Sequence, residues 1–141
     1  MSGANINLKD IIENKIVYAR KERDNAIPEK FMSDDPYDIT YEEYVHRANF
    51  EIRALEEMLA DVENMSEQKF REKYRAIVKA MHERFDREAE VRDKIIAETK
   101  ANGGDVDKAL AKLRYSVGME WYNNAIFDIL MLYDMDLLFD V

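Results

Sequence analysis

Residues Ala125 to Val141, AIFDILMLYDMDLLFDV, constrain the fold more than any other stretch of this chain. Thirteen of the seventeen are apolar, and the other four (Asp128, Asp134, Asp136 and Asp140) are all aspartates. The run is short for a membrane span, and four ionisable groups in hydrocarbon would each be costly. It reads as a helix buried nearly all round, against which the rest of the chain packs. The 141 residues suffice for one domain with a sizeable core, and only four Gly and two Pro interrupt them. The predicted class is therefore all-α: a single-domain bundle of about four helices, mostly antiparallel, with a buried C-terminal helix.

Periodicity and capping residues place those helices at roughly 8–25, 41–63, 67–101 and 106–139, with a proline-containing loop over 26–40. In the first helix Leu8, Ile11, Ile12, Ile16 and Ala19 share a stripe that Val17 and Tyr18 widen, and Asn7 is its expected N-cap. The loop carries Phe31, Met32 and Tyr37 and is expected to lie along the bundle. Thr40 and Glu43 form a T-x-x-E capping box. Behind it Tyr41, Val45, Ala48, Ile52, Leu55, Leu59 and Val62 make a heptad seam suited to shallow-angle helix packing, with Phe50 pointing away from it. Ser66 caps the third helix, whose stripe of Phe70, Tyr74, Ile77, Val78, Met81 and Phe85 thins to Ala89, Ile95 and Ile96. Asn102-Gly103-Gly104 stops it and Asp105 caps the last helix, inside which Gly118 marks a kink or a close crossing.

The net charge is −9, and it is unevenly spread: residues 34–63 sum to −8, and no basic residue follows Arg114. A chain this acidic is poorly suited to phosphate backbones and compatible with a basic protein surface. Cysteine is absent, which excludes a disulfide framework, a thiolate metal site and a cysteine nucleophile. The opening MSGANINLKD has no basic segment followed by an apolar run, so a cytoplasmic location is expected.

Several residue groups could carry chemistry. In the third helix Glu83-x-x-Asp86 and Glu90-x-x-Asp93 put carboxylates on one face, where Mg²⁺ could take oxygen ligands. All-α nucleotide pyrophosphohydrolases use similar paired acidic motifs, but on two facing helices, and the second helix here has no matching E-x-x-E. Bases four residues on (Glu83 with Arg87, Glu88 with Arg92, Glu90 with Lys94) describe a self-neutralising surface instead. Glu43-x-x-His46 is half a di-iron ligand set, but the other histidine, His82, has Lys79 at that offset, so neither a metal nor another cofactor is expected. Lys69, Arg71, Lys73, Arg75 and Lys79 form a basic patch interleaved with Phe70 and Tyr74, and Arg71, Arg75 and Lys79 fall on one stripe that could meet phosphates. With helices two and three expected as antiparallel neighbours, it is better read as the partner of the acidic segment before it.

These readings favour a non-enzymatic protein-interaction or assembly component, in particular an acidic inhibitor or adaptor that docks on a basic protein surface. Its binding face would be Phe50 amid Glu43, Glu51, Glu56 and Glu57, the aromatic serving as anchor. Two other classes remain open: a Mg²⁺-dependent nucleotide hydrolase using Glu83, Asp86, Glu90 and Asp93, and a helical nucleoprotein subunit using Lys69, Arg71, Arg75 and Lys79. A partner protein is expected, and a membrane is not.

Overall fold

Short polar side chains set most of the helix ends. The computed structural model describes the backbone of residues 2–34, 38–111 and 118–139, and the side chains of 8–34, 38–110 and 120–138. Its helices are α1 (Ser2–Asn25), α2 (Tyr41–Asn64), α3 (Glu67–Ala101), α4 (Val106–Ala111), α5 (Gly118–Tyr133) and α6 (Asp136–Phe139), with a 3₁₀ turn at Pro28–Phe31. The fold is an all-α bundle. Thr40 Oγ1 accepts the backbone N–H of Glu43 (3.1 Å), Ser66 Oγ that of Lys69 (3.2 Å) and Asp105 Oδ1 that of Lys108 (3.2 Å), three caps read directly from sequence. Gly103 takes φ +69° behind α3. The N–H of Gly104 bonds to the Thr99 carbonyl and that of Gly103 to Lys100, the paired closure that a left-handed residue allows.

Two boundaries differ from expectation. α1 begins at Ser2, so Asn7 lies within the helix rather than capping it. The last helix, expected over 106–139, is interrupted at Asp134–Met135: Asp134 Oδ1 accepts the N–H of Asp136 (3.0 Å) and its carbonyl that of Leu137 (3.1 Å). An aspartate that bonds the backbone two residues on competes with helix continuation, and the chain turns there into α6. Whether the expected helix is continuous between α4 and α5, and the packing of Leu113 and Val117, lie outside the described residues, as does Tyr37.

The core is organised around α2 rather than around the C-terminal helix. α1, the 3₁₀ turn, α5 and the start of α3 all pack on α2. Because it is covered on several sides, α2 buries Ala54 and Met58 as well as the seam residues Ala48, Ile52 and Leu55. α1 runs antiparallel to it: Lys9 lies 3.5 Å from Glu63 at one end, and Arg23 donates to Asn49 (2.9 Å) at the other. Leu8, Ile12, Ile16 and Ala19 face this contact. Val17 and Tyr18, expected to widen the stripe, face solvent, because α1 is covered on one side only. Phe31 rests on Tyr41 and Tyr44, and Tyr44 on Trp121, which fixes the proline loop against α2 and α5.

α2 and α3 part company after their joint. Contact between them is confined to its neighbourhood, where Asp61 accepts from Tyr74 (2.7 Å) and Lys73 (2.6 Å). α3 buries Phe70, Tyr74, Val78 and Met81, and beyond Met81 it has no fully buried side chain. That outer half packs with α4, as the thinning of its apolar stripe implies. α6 returns to α3, where His82 Nε2–H donates to the Leu138 carbonyl (2.8 Å) and Leu137 and Leu138 are buried. Among the described residues no helix is long and apolar enough to cross a membrane.

Candidate interaction surface

The acidic face of α2 is largely answered from within the chain. Glu56 meets Arg20 of α1 (3.2 Å), Glu63 meets Lys9, Glu57 meets Arg53 (3.1 Å) and Glu43 lies 3.8 Å from Arg47. Glu57 also accepts the Tyr122 hydroxyl; burial, with that bond, pushes the phenol up to about 12. Such exposed pairs each stabilise the fold little, but they leave the face close to neutral. Phe50 is half-buried, edge-on to His46 at 4.9 Å, and is not packed against the core. An open groove of ≈ 390 Å³, which Phe50 does not line, lies between Arg23 of α1 and Asn49, Ile52, Arg53, Glu56, Glu57 and Ala60 of α2, and Arg23 bonds to Asn49 and Arg53 to Glu57 within it.

Glu51 is the exception on α2. It is half-buried, and burial followed by the nearby Asp128 raises its carboxyl above the ordinary range, with Lys15 offsetting this only in part. Loss of water at the α2–α5 contact, and then the like charge across it, disfavour the ionised carboxyl. Tyr44 lies in the same neighbourhood, its phenol raised by burial and then by Glu22 and Glu51.

The basic patch of α3 works inside the molecule, in part where the sequence placed it. Arg71 donates to Asp134 (2.5 Å) and sits over the Tyr133 ring, Arg75 adds to the positive field at Asp134, and Lys73 holds Asp61. Of the other acids of residues 34–63, Glu56 and Glu63 are met by α1, and Glu43 and Glu57 by arginines of α2 itself. Lys69 and Lys79 remain exposed. On the outer half of α3, Glu83, Asp86, Glu90 and Asp93 are all exposed. Glu88 pairs with Arg84 (3.1 Å) and Lys94 with Glu98 (4.0 Å), not in the combinations read from sequence. Among the described residues no group of three or more His, Asp or Glu side chains is gathered closely enough to hold a metal ion.

Arg71 and Asp134 also make the end of α5 sensitive to acid. The Arg71 hydrogen bond, together with the Asp136 N–H, holds the Asp134 carboxyl below the ordinary range. A depressed carboxylate contributes stability above its unfolded-state pKa, and that contribution is lost as pH falls through the folded value. Glu67, lowered by the Tyr133 hydroxyl, works in the same sense, and Glu51 in the opposite one. Asp134→Asn should therefore melt below the parent at neutral pH, with the gap closing from about pH 4 downward. A gap that persists unchanged at pH 3 in parallel thermal melts would show that the charge on Asp134 is irrelevant.

Sequence reasoning missed the outer face of α5 and α6. Met131 and Met135 are each 52% exposed and Leu132 59%, beside exposed Asp128 and Asp136. Phe127, one turn before Met131, is half-buried against Phe85 of α3 (ring centroids 6.3 Å), itself partly exposed. A signal was present: Leu132 follows Asp128 by four residues, so a polar residue already marked its side of the helix. No protein family matches this chain, and no curated protein or solved structure does either.

Proposed function

We propose that this protein is a non-enzymatic interaction component that docks on a basic protein surface as an adaptor or inhibitor. The observation that supports this best is the pair of exposed methionines and the exposed leucine on α5 and its exit, flanked by carboxylates. Contiguous outward apolar side chains rimmed by charge are what a binding face needs, and they contribute little to an isolated fold. The face around Phe50 is the second place to look. Its acids are mostly paired, so its half-exposed ring would supply most of any anchor there.

Photo-crosslinking tests the reading. A photo-reactive amino acid replacing Leu132, Phe50 or, on the exposed outer half of α3, Arg92 is introduced into the full chain in its native cells. A discrete protein adduct is expected from position 132, or from 50, and not from 92. Silence at both 132 and 50, or adducts to nucleic acid rather than protein from either, would overturn it.

A further inference from the structure

The face formed by Met131, Leu132 and Met135 has a definite charge environment. Asp128 lies one turn before Leu132 and Asp136 directly follows Met135, and both are exposed. From Tyr115 to Val141 the sequence contains no Lys, Arg or His, so this segment has no cation of its own. Arg71, with Arg75 near it, is engaged by Asp134 at the α3 side. At the other edge Asp128 meets a like charge, Glu51, which Lys15 of α1 offsets only in part. An occupant that brings positive charge relieves that repulsion; one that brings negative charge worsens it.

This complementarity selects among the possible occupants. A second copy seated face to face would, by the symmetry of such a contact, set Asp128 and Asp136 against the same acidic rim. An anionic lipid surface would meet the same repulsion. Resting on the interaction reading above, we propose that the outer face of α5 and α6 is the docking site for a cationic amphipathic helix of a partner protein. Apolar side chains of that helix pack on Met131, Leu132 and Met135, and Lys or Arg residues reach Asp128 and Asp136. These acids lie on either side of the turn at Asp134–Met135, Asp128 on α5 and Asp136 at the start of α6. A partner helix that carries basic residues at both ends of an apolar stripe, its apolar residues recurring at third and fourth positions, matches the face. Phe127 and Phe85 extend the apolar area toward α3. A patch of this size suits a transient complex rather than a permanent one.

The test is calorimetric titration of the full protein with a synthetic Leu/Lys peptide of that pattern, against a scrambled peptide of identical composition. The patterned peptide should bind at least tenfold more tightly than the scrambled one. The double change Leu132→Ala/Met135→Ala should weaken it about tenfold, and Asp128→Asn severalfold with a shallower salt dependence. All these side chains are exposed, so melting temperatures should stay within about a degree of the parent, and Glu42→Gln, on α2, should change nothing. Equal binding of both peptides, indifference to the α5 variants, or a dimer in sedimentation that Leu132→Ala dissociates would each overturn the proposal. If cationic peptide binding persists in those variants but is lost in Phe50→Ala, the interaction reading stands and only this face is wrong. If no cationic peptide binds and the crosslinking is silent, both fall.

Discussion

Ile129→Ala is expected to lower stability by about 2–5 kcal/mol, while Leu132→Ala, three residues away in the same apolar run, should change it by less than about 0.5 kcal/mol. Read as parts of one apolar run, both would be placed in the core. In the folded chain Ile129 is fully buried between α5 and its neighbours, so truncation removes its burial and leaves a cavity that close-packed surroundings fill only in part. Leu132 faces water, and its truncation loses almost no burial. Chemical denaturation of the two variants beside the parent decides it. Equal losses would mean that the outer face of α5 is covered in the free protein, which would also remove the docking site proposed there.

Asp61→Ala should cost about 1–3 kcal/mol, more than an exposed ion pair would suggest. Its carboxylate accepts from Lys73, which is exposed, and from Tyr74, which is only 2% exposed. Losing the Lys73 contact alone would matter little. Losing the acceptor leaves a buried hydroxyl with no partner, and the penalty is the desolvation of that group. Burial, and then the Asp61 bond, pushes the Tyr74 phenol well above its ordinary range, which favours the protonated donor. The expected signature is therefore non-additive. In a Tyr74→Phe background, where no hydroxyl needs an acceptor, Asp61→Ala should lose most of its effect. An unchanged cost there would place the role of Asp61 elsewhere.

These two sites bear on the functional reading in different ways. The Asp61 network and the Arg71–Asp134 contact hold α5 and α3 at the joint with α2, so the elements that present the outer face are fixed from beneath. Exposed methionines on such a support supply adaptable apolar contact without requiring the backbone to move. The paired acids of α2 lack that combination, and for that reason the proposed docking face lies on α5 and α6 rather than around Phe50.

What the sequence by itself determined is local. Thr40, Ser66 and Asp105 as caps, Gly103 as the left-handed stop behind α3, and the inward stripes of α1, α2 and the first half of α3 each depend on side chains within a turn or so of one another. The helical class follows from them. What tertiary structure decided is which helix is central, which side of an apolar run is covered and which charges meet. The run over 125–141 looked buried all round because hydrophobicity is counted per residue. A helix end needs a neighbour on each side to be buried, and α5 has neighbours on one side only at Met131, Leu132 and Met135. The basic patch of α3 was legible as a partner for acid: Lys73 meets Asp61 of the preceding segment, but Arg71 turns to Asp134 across the fold, because α2 and α3 diverge away from their joint. Divergence after a short joint is set by where the apolar stripe of α3 finds α5 and α6 to pack on, and that is a property of the assembled chain.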